Sequence, residues 1–158
     1  MTPSPRLARW APLPVRLIVG GGFLQHGIAK WMHGPSNFAN ILQALNVPHP
    51  NLMAILTIAA EILGGCAVLL GAFIPLAAVP MTIVLLVAIF TVHLPNGFSS
   101  IRLKSVTAGR AQFGPPGYEC DLLYIAGIIT LVLGGPGPLG LSRRIHTAPA
   151  QSPVEEVS

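Results

Sequence analysis

LMAILTIAAEILGGCAVLLGAF, residues 52–73, is apolar or small throughout except for Thr57 and one carboxylate, Glu61. A helix rises about 1.5 Å per residue, so this stretch can cross the roughly 30 Å hydrocarbon core of a bilayer. The next stretch, IPLAAVPMTIVLLVAIFTVHL at 74–94, is long enough for a second crossing, and the tight turn at Phe73-Ile74-Pro75 joins the two as an antiparallel hairpin. Glu61 stands about midway along the first stretch. A carboxylate at the bilayer centre costs on the order of 2.5–3.5 kcal/mol on insertion scales. It therefore faces a bundle interior, pairs with a cation or stays protonated, and it marks a site by default.

Composition carries the membrane reading to the rest of the chain. Charged residues make up 9% of it, against roughly 25% in soluble domains, and mean hydropathy is +0.67. A soluble fold could not solvate that surface, and 158 residues leave no room for a separate soluble catalytic module. Residues 13–32 are long enough to cross but carry Arg16, Gln25, His26 and Lys30, so that helix depends on its neighbours to stay inserted. Residues 118–135 form a somewhat short last segment. The expected fold class is all-α, an integral membrane four-helix bundle with helices at about 13–32, 52–73, 74–94 and 118–135. This domain, 13–141, lies between Pro-, Gly- and small-polar-rich segments at 1–12 and 142–158 that read as disordered tails. The loop at 95–117 is long for so small a bundle, and loops of that length are functional or disordered.

Gln25 and His26 interrupt the first apolar stretch and no small-residue cleavage site follows, so an uncleaved helix is expected there. Arg6, Arg9, Arg16, Arg143 and Arg144 favour both termini in the cytoplasm, while Arg102, Lys104 and Arg110 in the 95–117 loop weigh against that. The pI near 9.7 comes from basic residues scattered at segment ends. That pattern fits anionic lipid headgroups and predicts no nucleic-acid partner.

With four crossings, the ionisable groups gather in one leaflet. Lys30, His93 and Glu119 fall near one surface, His26 roughly 9 Å in and Glu61 roughly 13 Å in, counting 1.5 Å per residue. They make a polar funnel narrowing towards Glu61. Gly22, His26 and Lys30 recur every four residues on the first helix, and Thr57, Glu61 and Gly65 do so on the second. Packing these stripes together would bring His26 or Lys30 to Glu61, with the small residues letting the backbones approach. Such a pair can also act as a clamp that holds a bundle together, an alternative to its marking a ligand site. Cys66 and Cys120 are placed roughly 20 Å apart in depth, too far for a disulfide.

Several motifs in order resemble the DoxX family of small four-helix bacterial membrane proteins. They are Arg16, Gln25-His26-Gly27 with Lys30, Phe38, Glu61-Ile62-Leu63-Gly64-Gly65, Gly71, His93, Asn96-Gly97-Phe98, Gly117-Tyr118-Glu119 and Gly134-Gly135-Pro136-Gly137. The similarity runs from about Arg16 to Ser142. It implies a bundle in the bacterial cytoplasmic membrane and a link to respiratory or sulfur redox chemistry, since the family takes its name from a subunit associated with a quinone-reducing oxidoreductase. Cys120 stands where members commonly have an aromatic residue, and Arg143 where they commonly have an acidic one.

The functional expectation is an accessory subunit of a quinone-linked redox system. Glu61 and His26 are its candidate catalytic groups, with Lys30, His93 and Glu119 as further ligand-binding groups. A quinone headgroup needs hydrogen-bond donors and a proton-exchanging carboxylate within apolar walls. The alternative is a non-enzymatic membrane scaffold whose buried charges fix the bundle and which recruits soluble redox partners. Haem between His26 and His93 is not expected, because their depths differ by roughly 8 Å. No metal is expected either, since His26, Glu61 and His93 match no ligand-spacing motif.

Overall fold

The computed structural model describes residues 4–142; Arg143, Arg144 and nearly all of the expected C-terminal tail lie outside the described residues. Within them the chain is mostly helical. The segment read as an N-terminal tail holds one turn of helix, α1 (Pro5–Ala8), capped by the Ser4 side chain. Then come α2 (Pro12–Met32), α3 (Pro35–Ala44), α4 (Pro50–Leu70), α5 (Ile74–Ala88) and α6 (Glu119–Gly134). Each of α2 to α5 has a proline in its first turn, where a missing N–H costs nothing because that donor has no partner within the helix. Helix α5 continues through a π turn, Ile89–His93, and a 3-10 turn, Leu94–Asn96. Two helices, Pro50–Leu70 and Ile74–Asn96, are long and apolar enough to cross a membrane.

The main core is built from α2, α4, α5 and α6: Val19 and Phe23, Val68, Met81 and Leu85, Ile128 and Leu131. The outer surface is apolar as well, with Leu17, Ile18, Leu63, Leu76, Phe90 and Leu133 exposed. An envelope of that kind is matched to hydrocarbon rather than water. Helices α2 and α4 make the closest approach, because their glycines let backbone meet backbone. A Cβ on Gly65 would lie 2.7 Å from the Leu24 nitrogen and 2.8 Å from the Gly20 oxygen. The expected glycine stripe is thus shifted on α2. Gly20 and Gly27 face α4, whereas Gly22 faces Tyr124 of α6.

Helix α4 ends at Gly71, whose φ of 64° supplies the left-handed residue of the C-cap. Arg16 completes the cap. Only 2% exposed, its guanidinium donates from Nε to the Val68 carbonyl at 3.1 Å, from Nη2 to Leu69 at 2.5 Å and from Nη1 to Pro136 at 2.7 Å. Arg16, counted in the sequence as a basic residue orienting the chain, is spent on the carbonyls that end α4 and on the loop after α6.

Two elements lie beyond the four expected helices, and the first of them corrects the all-α expectation. The 95–117 loop contains an antiparallel hairpin, β1 (Leu103–Thr107) and β2 (Arg110–Phe113). Its turn places Ala108 at φ 48° and Gly109 at φ 76°, the backbone of a two-residue primed turn. Ala-Gly is a weaker signature of such a turn than Asn-Gly or Asp-Gly, so the strands were hidden. Helix α3 was missed too. It is short, and buries only Ala39 and Leu42 against Ala54 of α4, in a small second core with Phe38, Val47 and Met53.

Candidate functional site

At the end of the molecule opposite Arg16, the C-terminal turns of α2, the middle of α4, the end of α5 and the first turn of α6 enclose a cavity of about 270 Å³. Phe23, His26 and Lys30 line it from α2, Glu61 from α4, Val84, Leu85, Ala88 and His93 from α5 and its π turn, and Cys120, Asp121 and Tyr124 from α6. Four of the five sequence-predicted site residues meet here: Glu61, His26, Lys30 and His93. Glu119 does not line the cavity. Its carboxylate accepts from the Ser100 amide at 3.0 Å and so fastens the loop to the start of α6.

Glu61 is 4% exposed. The Lys30 Nζ donates to both of its oxygens, at 2.5 Å and 2.6 Å. The lysine stem also passes the Phe38 ring of α3, with Nζ 5.2 Å from the ring centroid, so the cation is held by a carboxylate and an aromatic face together. Gly27 makes this contact possible, since a Cβ there would sit 3.0 Å from the Glu61 Cβ. The periodic spacing offered His26 or Lys30 as the partner of Glu61, and the structure pairs it with Lys30. His26 lines the cavity but has no part in the ion pair.

Asp121 was not anticipated. It is 8% exposed, one of only three buried charged residues among those described, with Arg16 and Glu61. Its Oδ2 lies 3.6 Å from His93 Nδ1, beyond a good hydrogen bond, and both atoms are buried without a hydrogen-bond partner. Buried polar atoms are normally satisfied, and each exception calls for an explanation such as water or a ligand between the groups. The π turn at Ile89–His93 widens the end of α5 where His93 projects, a feature frequent at functional sites. The available signal was an Asp two residues into a helix whose neighbour, Glu119, drew attention instead.

A second cavity, of about 400 Å³, lies on the far side of the ion pair, between α3, α4 and α5. Its lining is chiefly aliphatic, including Ile41, Leu45, Leu56, Ile83 and Val87. Lys30, Glu61, Val84, Ala88 and His93 belong to both cavities. A polar chamber and an apolar groove thus share a wall made of Lys30 and Glu61. Among the described residues, no three His, Cys, Asp or Glu side chains are grouped to hold a metal ion.

The family model for DoxX matches residues 11–94, which span α2 to the end of α5 and include His26, Lys30, Glu61 and His93. An uncharacterized membrane protein of Mycobacterium tuberculosis is 34% identical over 139 residues, covering 83% of this chain and 78% of that protein. No solved structure matches the chain. With an apolar exterior around buried charges and a family match across more than half its length, the chain belongs to the DoxX family and is a membrane protein.

Proposed function

We propose that the protein is a four-crossing bundle of the bacterial cytoplasmic membrane, with α2, α4, α5 and α6 as its crossings, that binds a quinone as an accessory of a redox system. The observation that carries this reading is the pair of buried, unpartnered atoms, His93 Nδ1 and Asp121 Oδ2, in a chamber adjoining an apolar groove. An amphiphile with a polar ring and an isoprenoid tail would set its ring in the chamber and the start of its tail in the groove, passing beside the Lys30–Glu61 pair where Val84, Ala88 and His93 line both cavities. A quinone supplies two carbonyls that accept electrons together with protons.

The chain's residues divide that work. His93 donates a hydrogen bond from Nδ1 in the tautomer that carries the proton there, and Asp121 accepts one or, when protonated, gives one. The two are close enough to hold a proton between them through a bridging group. His26, exposed at the chamber wall, connects them to water at the surface. Lys30 and Glu61 are occupied with each other, so their role is to position the wall between ring and tail rather than to exchange protons. The aliphatic groove excludes water from the tail side.

The test is the quinone content of protein purified in mild detergent, compared with Asp121→Asn and Glu61→Gln variants of verified folding. Near-stoichiometric quinone that Asp121→Asn loses supports the reading. Quinone absent from the unaltered protein, or retained undiminished in Asp121→Asn, overturns it. One observation favours the scaffold reading: the bidentate Lys30–Glu61 pair satisfies both carboxylate oxygens without a ligand. Under that reading Glu61→Gln lowers stability, no quinone is found, and soluble redox proteins co-purify.

A further inference from the structure

The β1–β2 hairpin carries a feature that the chamber does not use. Its register pairs Leu103 with Phe113, Val106 with Ala111, Ser105 with Gln112 and Thr107 with Arg110, with an irregularity between Leu103 and Ser105 where Lys104 falls. Residues directly opposite share a face and successive pairs alternate faces. The shift at Lys104 puts Leu103 and Phe113 on the same side as Val106 and Ala111, leaving Ser105, Gln112, Thr107 and Arg110 on the other. One side of the hairpin is therefore apolar and the other polar. Yet every residue of both strands is exposed, with Val106 at 65% and Phe113 at 60%.

An isolated two-stranded hairpin is marginal in water and needs a covered apolar face. The base of this one is fixed. Gly114 N–H donates to the Arg102 carbonyl, Gly117 to Ser99, and Glu119 to Phe98, and the Arg102 guanidinium donates to the Asn96 carbonyl at the end of α5. The hairpin is thus held between the end of one membrane-length helix, Ile74–Asn96, and the start of α6, at the level where hydrocarbon gives way to water. Between Pro95 and Tyr118 the chain has Arg102, Lys104 and Arg110 and no acidic residue.

We infer that the apolar face of the hairpin lies on the membrane carrying the protein, seated at the boundary of headgroups and acyl chains, with Lys104 and Arg110 on anionic headgroups. The charge complementarity, the tether at membrane level and the uncovered apolar side specify one occupant, an anionic bilayer surface. Juxtamembrane cations of this kind are attracted to anionic leaflets within a Debye length. The inference rests on the membrane placement of α5 and is independent of what fills the chamber.

The experiment places a nitroxide at Val106→Cys or at Gln112→Cys, on opposite faces, in full-length protein with Cys66→Ser and Cys120→Ser. Each sample holds one copy per nanodisc, made with or without phosphatidylglycerol. With the anionic lipid, the Val106 site should be several-fold more accessible to oxygen than to a water-soluble nickel chelate, and the Gln112 site should show the opposite preference. Replacing Lys104 and Arg110 together by Gln should weaken that contrast. Equal access of the nickel chelate to both sites would show the hairpin standing in water and overturn the inference. So would protection of Val106 that appears only when several copies share a disc, because the covering surface would then be a second copy of the chain.

Discussion

Three buried charges sit in three different chemical situations, and each predicts a different response to substitution. Glu61 is satisfied, so Glu61→Gln leaves the Lys30 ammonium without its counter-charge. Removing one member of a buried pair costs about 3–5 kcal/mol, and with the Lys30 side chain 26% exposed the loss should fall at or below the lower end. Thermal unfolding in detergent checks this, and adding Lys30→Met should recover part of the loss through coupling between the two sites. The Oδ2 atom of Asp121 has no hydrogen-bond partner and meets His93 Nδ1 only at 3.6 Å. Asp121→Leu should therefore leave the ligand-free protein as stable as before or more so, since deleting an unpartnered buried polar group removes a penalty of about 1–3 kcal/mol. The same melting experiment reports the sign. Glu61 was legible as a buried charge in an apolar run, and helical spacing offered His26 or Lys30 as its partner. The choice of Lys30 needed the fold, since the depth count sets Lys30 near the surface. Asp121 was not, because its burial depends on how α6 rotates against α5, which spacing along one chain does not give.

At the scale of elements, the contact of α2 with α4 depends on glycines that act through the space they leave open. Gly65→Ala should destabilise the protein by about 2 kcal/mol or more, because its Cβ meets backbone atoms of α2 that cannot move aside as a side chain would. Gly21→Ala meets nothing within 4 Å, and should be neutral or stabilising by up to about 1 kcal/mol through helix propensity. Melting temperatures of the two variants side by side separate packing from propensity. Arg16→Lys should cost on the order of 3 kcal/mol or more in the same assay, since one ammonium cannot reach carbonyls of Val68, Leu69 and Pro136 that a forked guanidinium spans. The expected segments at 13–32, 52–73, 74–94 and 118–135 agree with the bounds of α2, α4, α5 with its extensions, and α6 to within a few residues. Apolar length marks α4 and α5 outright, whereas α2 is interrupted by Arg16, Gln25, His26 and Lys30 and α6 is short, so only the apolar stretches within them gave the signal. Helix α3 and the β hairpin are too short to carry that signal. They became visible only through what they pack against or pair with.

For the molecule as a whole, polarity is distributed lopsidedly. The chamber groups lie towards one end and Arg16 at the other, and the layer between them is Phe23, Val68, Met81, Leu85 and Leu131, with Met81 wholly enclosed. The gathering of ionisable groups in one half followed from counting residues along antiparallel segments, while the use of Arg16 as a helix cap required the fold itself. The apolar layer behaves as an electrical insulator. Under the proposed quinone chemistry, protons would reach Asp121 or His93 from the side of the hairpin and return to it, because the buried residues between the chamber and Arg16 are apolar. With the electron donor docked on that same side, quinone turnover in the chamber should accordingly be electroneutral, generating no current across a planar bilayer and no change in rate when a voltage is imposed.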